Sequence, residues 1–334
     1  MDTIRPFTDE QTRCLINTRQ RYDAWIIAEQ QLRELPYDLR KKRVAGADYL
    51  YEIYDRGGNG RSLGRWSAAR QADFENYREK KQEVKKRIAG AKLALDETTR
   101  MYRALRLPLL ASEAGAILRE ADRRALLGSH LIVVGTNALP AYMIEAAASF
   151  DVPDETEDFD LAWAAEHTSK GEPVVWDLLK SVDATFTVNS ERRFQVRNAK
   201  AYEVELLVAP SRASSLARTD QPRPMPLAEQ EWLLTDPYVT QTVACRDGSP
   251  ARLTVPDPRW FALHKLWMAA QTKRDPLKRP KDRKQGKALL DAVSLAMPQF
   301  PLDSAFVERL PAELLPVYMS WAEERPEALT PVWR

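Results

Sequence analysis

Residues 130–163 read HLIVVGTNALPAYMIEAAASFDVPDETEDFDLAW, and the fold turns on how this stretch is parsed. The run Leu131, Ile132, Val133, Val134 is short, apolar and stopped by Gly135-Thr136-Asn137, the pattern of a buried strand that delivers the chain to a turn. A helix follows, and Asn137 has the side chain to cap it. Further on, Asp158 and Asp160 alternate with Phe159 and Leu161. Residues two apart on a strand share a face, so the spacing predicts two carboxylates side by side and two apolar side chains turned into the core. Two anions that close repel unless a cation lies between them, and a hard divalent ion with oxygen ligands meets that need. Solvated charge on a sheet edge is the plainer account of a D-x-D pair. The strand, Gly-Thr turn and helix before it argue otherwise, because a turn that opens a helix leaves N–H groups free for a phosphate.

Residues 201–210, AYEVELLVAP, predict a later strand with Glu203 and Glu205 on one face and Val204 and Leu206 on the other. Together, Gly135-Thr136, the Asp158-Phe159-Asp160 strand and Val204-Glu205-Leu206-Leu207 resemble the signature of the nucleotidyltransferase superfamily, the polymerase-β-like fold. There, a Gly-Ser or Gly-Gly turn starts a helix, a D-x-D or D-x-E strand follows, and a third carboxylate lies on a later strand. Glu205 stands where that family usually has Asp, and Thr136 where it more often has Ser. The run G-T-N-A-L, the V-E-L-L strand and His264-Lys265-Leu266, followed by an Arg and a Lys-Asp pair, resemble more specifically a bacterial family of nucleotidyltransferase-fold proteins. The resemblance spans roughly residues 45–295.

The resemblance implies an α+β fold: a small mixed β-sheet core with flanking helices. It implies Asp158, Asp160 and Glu205 as catalytic and metal-holding carboxylates, with Glu203 competing for the third place. Gly135, Thr136, Asn137, Lys265 and Arg193 become the expected nucleotide contacts, and Mg²⁺ or Mn²⁺ the expected cofactor. The donor is an NTP, ATP among them, whose α-phosphate is attacked by a hydroxyl of tRNA or other RNA, of a protein, or of a small molecule such as an aminoglycoside. A catalytically inactive fold serving as a binding or regulatory module, for instance in a toxin–antitoxin or phage-defence pair, is the other reading left open.

Length and composition bound these expectations. The chain has 334 residues, 44% hydrophobic and 29% charged, enough for two domains with a full core. No apolar run approaches a membrane span, and the first residues, MDTIRPFTDEQTR, lack an apolar signal core. Two cysteines, Cys14 and Cys245, make no disulfide framework, so a reducing cytoplasm is expected. Three histidines (His130, His167, His264) are too few for a His-rich zinc site. The net charge is only +2, so local clustering says more about partners than the total does.

Along the chain we expect three regions: residues 1–127, mostly helical with a β-hairpin near 47–66; a catalytic core over 128–256; and a helical region over 257–334. Residues 8–35 predict an amphipathic helix, Ser67 to Leu105 a long charged helix, and Glu113 to Leu127 a further helix. After Asp160 the pattern predicts a helix over Glu172 to Lys180 and strands over Ala184 to Val188 and Arg193 to Val196. Residues 211–230 are rich in Ser, Arg and Pro and predict a loop, and Gln241–Cys245 with Arg252–Val255 a hairpin around Asp247-Gly248. Asp257-Pro258 opens a helix carrying His264 and Lys265. The run from Lys273 to Lys287 holds eight basic residues against Asp275 and Asp282, a positive potential suited to a triphosphate or an RNA backbone. Lys278, Arg279, Lys281 and Arg283 are the expected RNA contacts, although a solvated basic loop accounts for the same run. No aromatics interleave them, so base readout is not expected there.

Overall fold

A computed structural model describes residues 4–152, 158–166, 174–235 and 237–324. Glu157, His167 and the expected helix start at Glu172 lie outside these described residues.

The chain opens with strand β1 (Ile4–Pro6) and helix α1 (Asp9–Glu34). Thr8 and Gln11 cap α1 reciprocally: the Thr8 hydroxyl accepts from the Gln11 N–H, and the Gln11 side chain accepts from the Thr8 N–H. Strands β2 (Asp38–Val44), β3 (Ala47–Ile53) and β4 (Gly60–Arg65) form an antiparallel meander, and helix α2 (Ala68–Ala104) returns alongside α1. The expected hairpin near 47–66 is β3–β4, and with β2 it belongs to a three-stranded sheet. Its first strand, DLRKKRV, buries only Leu39, so no alternating apolar pattern announced it. At 37 residues and about 1.5 Å per residue, α2 is about 55 Å long. Tyr22, Trp25 and Ile26 of α1 lock onto Leu95 of α2, and Leu39 and Leu50 pack on Tyr77 at the sheet end.

The core follows in order: α3 (Ser112–Arg123), β5 (Leu131–Val133), α4 (Leu139–Glu145), β6 (Ala148–Phe150), β7 (Asp158–Trp163), α5 (Val175–Val182), β8 (Thr187–Val188), β9 (Gln195–Arg197), β10 (Glu203–Val208) and β11 (Met225–Pro226). A mixed sheet runs β5-β7-β10-β9-β8, with β11 added beside β10. Strand β5 is antiparallel to β7, β10 is parallel to β7, and β9 is antiparallel to β10. The fold is α+β, as the sequence led us to expect. The 211–230 segment is a loop that also supplies β11, and β6 pairs with β1.

Helix α6 (Gln230–Leu233) leads to the hairpin β12 (Val239–Ala244) and β13 (Pro250–Val255); then come α7 (Pro258–Ala270), α8 (Arg279–Ala296), α9 (Ser304–Val307) and α10 (Leu315–Glu323). Asp257 caps α7 by accepting from the Arg259 N–H, with Pro258 at the first helical position. One apolar core runs through α3, the mixed sheet, the β12–β13 hairpin, α7 and α8. Gly115 lets α3 close on that hairpin, since a Cβ there would run into the Cys245 sulfur. Cys14 and Cys245 are buried and free. Among the described residues no helix is long and apolar enough to cross a membrane.

Candidate functional site

Strand β7 alternates as its sequence demands. Phe159 and Leu161 are fully buried, while Asp158 and Asp160 keep partial solvent contact on the opposite face. The parallel pairing with β10 sets Glu203 opposite Asp158 and Glu205 opposite Asp160, so four carboxylates share one face of two central strands. Strand β5 then turns at Gly135 over the same face. The Val134 N–H donates to the Asp160 carbonyl (3.0 Å). Gly135 sits at φ +71°, and a Cβ there would overlap the Asp160 carboxylate. Both the left-handed backbone and the close approach require glycine.

Electrostatics separates the four acids. The Asp160 carboxyl is pushed up to about 7, first by burial and then by Glu205 and Asp158, against the opposing pull of Lys265 and Lys278. Burial also raises Glu205, with Asp158 adding to it, while Lys278, Gln195 and Arg192 pull it down. Glu203 is already answered: Arg197 forms an ion pair with it and Gln195 Nε2 donates to it at 2.8 Å. Gln195 also donates to Glu205 at 3.1 Å. Of the two late glutamates, Glu205 is thus the one with charge to spare.

The basic stretch does not form one surface. Lys278 pairs with Asp158 (3.5 Å), and Lys281, half-buried, is pushed down first by burial and then by the nearby Lys265. Arg279 turns the other way and braces the loop, donating to the carbonyls of Thr272 (2.6 Å) and Arg274 (3.0 Å). Arg283 lines a separate groove against α10. Lys265 is buried and bonded to Asp282 at 3.0 Å, and Asp282 also receives Arg274 at 2.7 Å. Lys265 therefore acts on Asp160 through its field, since its ammonium is tied to Asp282.

The turn after β5 differs from expectation. Residues 136–138 form a single 3₁₀ turn before α4, and Asn137 makes no side-chain cap. Its amide donates instead to the Asp158 carbonyl (2.9 Å), clipping β7 to the turn. The strand competes for the amide and wins, because β7 lies directly beneath it. Thr136 is nearly buried, its hydroxyl within 3.4 Å of the Gln285 amide on α8. Arg193 is exposed, with its carbonyl bonded to the Arg223 N–H, and it is the neighbouring Arg192 that acts on Glu205. His264 packs between Trp232 and Trp267, held neutral by burial, its pKa lowered to about 3. Its ring nitrogens have no hydrogen-bond partner among the described residues.

Among the described residues no group of three or more His, Cys, Asp or Glu is drawn together tightly enough to hold a metal ion. Asp158 is turned toward Lys278 and Glu205 toward Gln195. The donor set is nevertheless of the kind a hard divalent cation takes: three carboxylates on adjacent strands, with Asp160 raised first by burial and then by the other two, and set against a glycine. Gln195 and Asp282 were not singled out from sequence; Arg197 was expected, with Arg192 and Arg193, near the strand that carries Glu205, and it pairs with Glu203. Gln195 and Arg197 lie on β9, whose antiparallel register against β10 brings them opposite Glu205 and Glu203, and that register is long-range information.

Residues 112–311, more than half of the chain, match a protein family described as nucleotidyltransferase. No curated protein matches the chain. Among solved structures, an antigenic nucleotidyltransferase-like protein from Paracoccidioides brasiliensis aligns at 19% identity, covering 66% of this chain and 92% of that one with a TM-score of 0.36.

Proposed function

The chain belongs to the nucleotidyltransferase family, and we propose that it transfers a nucleoside monophosphate from an NTP to a hydroxyl acceptor with Mg²⁺ or Mn²⁺ as cofactor. The observation that carries this is the register of β7 on β10, which puts Asp158, Asp160 and Glu205 on one face beneath the Gly135 turn. Asp158, Asp160 and Glu205 would hold the metal. When bound, the metal supplies fixed positive charge to the phosphates and lowers the pKa of the attacking hydroxyl.

The chain's own groups then divide the remaining work. The acceptor oxygen attacks the α-phosphorus, the bond to the bridging oxygen breaks, and pyrophosphate leaves. Glu205, oriented by Gln195, takes the acceptor proton. Lys278 exchanges Asp158 for the triphosphate, and Lys281 adds a second cation beside it. Gly135 admits the phosphate tail close to the backbone, and the Thr136 hydroxyl of the same turn donates to it. RNA, protein and small-molecule hydroxyls remain the acceptor classes, and a cytoplasmic toxin–antitoxin or phage-defence setting is the context in which we place it.

One observation favours the second reading, a non-catalytic binding module. As the structure stands, Lys278 already neutralises Asp158, as a permanent salt bridge in a retired site would. The two readings part on turnover: incubation with α-labelled NTP, Mg²⁺ and RNA or cell extract transfers label under the first and yields only reversible nucleotide binding under the second.

A further inference from the structure

The transferase reading leaves the N-terminal arm unused. Residues 38–104 hold 17 basic and 10 acidic side chains, net +7, in a chain whose total is +2, so the remainder carries −5. Where the end of α1, the β2–β3 edge and α2 meet, the arm has an open cleft of about 810 Å³. Two tyrosines line it with their rings half exposed, Tyr37 at 47% and Tyr54 at 51%. Its cations are Arg33, Arg40, Lys81 and Lys85. The two acids of the cleft are already answered, Asp38 by Arg40 (2.8 Å) and Glu52 by Arg61 (2.9 Å). The Lys81 ammonium donates to the neutral Tyr37 carbonyl and Tyr77 hydroxyl, and no carboxylate pairs with it or with Lys85 among the described residues.

The sheet beside the cleft repeats the pattern. Arg40 pairs across the strands with Tyr51 and Lys42 with Tyr49, and the Lys42 ammonium lies 4.9 Å from the Tyr51 ring. Exposed rings interleaved with cations are what a single-stranded nucleic acid needs: faces for its bases and charges for its backbone. A duplex hides its base faces and would use only the charges. An acidic protein segment would likewise have no use for two open rings.

We propose that this cleft binds single-stranded nucleic acid, with bases stacked on Tyr37 and Tyr54 and phosphates met by Lys81 and Lys85. The site is separate from the carboxylates, so it stands whether or not the chain transfers nucleotides.

The test is fluorescence anisotropy on the full chain, using labelled RNA and DNA oligonucleotides of about 15 residues. The single strands bind at about 50 mM salt and weaken steeply as salt rises, and a duplex of the same sequence binds at least about fivefold more weakly. Replacing both tyrosines, Tyr37→Ala with Tyr54→Ala, weakens binding about tenfold or more, whereas Phe at both positions keeps it. Lys85→Glu lowers the salt slope by about 0.7. Asp160→Asn binds like the wild type. Both tyrosines are half exposed, so the melting temperature stays within about 2 °C in the tyrosine variants. No single-strand binding overturns the proposal. Equal affinity for duplex also overturns it, as does an undiminished Ala variant that polyglutamate displaces, which would make the arm a surface for acidic protein. A gap between RNA and DNA affinities assigns the natural ligand.

Discussion

Replacing Asp160 by Asn should make the metal-free protein more stable while removing its cofactor response. The carboxyl rises from 3.8 to about 7 through burial and the charges of Glu205 and Asp158. At about 1.4 kcal/mol for each tenfold change in proton affinity, that amounts to about 4 kcal/mol. Partial solvent contact screens some of it, so about 2–4 kcal/mol is expected. The sign follows from proton binding. Between 3.8 and about 7 the folded chain holds a proton that the unfolded chain has lost, so stability falls as pH rises through this window and levels off above it. Asparagine keeps the shape without the charge. Chemical melts at about pH 8 should show the variant more stable by about 2–4 kcal/mol, a rise of about 3–7 °C in Tm, with the advantage vanishing near pH 4. Added Mg²⁺ and NTP at about 100 times Kd should raise wild-type stability by about 2.7 kcal/mol and leave the variant unmoved. A variant no more stable than wild type at pH 8, or one that still responds to Mg²⁺, would refute the reasoning.

Three further outcomes follow from the geometry. Gly135→Ala forces a Cβ into the Asp160 carboxylate at φ +71°, so it should lower stability by about 2–3 kcal/mol in a urea melt and abolish transfer. Glu205→Gln should cost at least about a hundredfold in kcat, whereas Glu203→Gln, whose carboxylate is already spent on Arg197, should cost less than about tenfold; equal losses would shift the third carboxylate to Glu203. Asp282→Asn strands buried Lys265 without its counter-charge and should destabilise by about 3–5 kcal/mol by denaturant titration, a loss too large for a surface pair.

The candidate site was legible where its chemistry is local. Alternation fixed the face of Asp158 and Asp160, the break after Val134 located the turn, and period two put Glu203 with Glu205. What sequence could not supply was pairing between distant strands. The Val204-Glu205-Leu206-Leu207 resemblance favoured Glu205, but the physical difference between the two glutamates, Arg197 pairing with Glu203, depends on the β9 register. The basic run was hard to read for a related reason: Lys278, Arg279 and Arg283 are neighbours in sequence, yet Lys278 pairs with Asp158, Arg279 braces the preceding loop and Arg283 lines a groove against α10. Strand β2 escaped because its charged residues carry no apolar period, although the same charges give the arm its character.

Nucleotide transfer itself is the most direct measurement. The purified chain is incubated with α-labelled NTP, Mg²⁺ and candidate acceptors, and both labelled product and pyrophosphate are followed, with Asp160→Asn alongside. The geometry at β7 and β10 predicts stoichiometric label transfer and pyrophosphate release, both lost in the variant. Transfer that persists in Asp160→Asn, or nucleotide bound by the wild type without any pyrophosphate released for any acceptor class, would contradict the assignment of these carboxylates to catalysis.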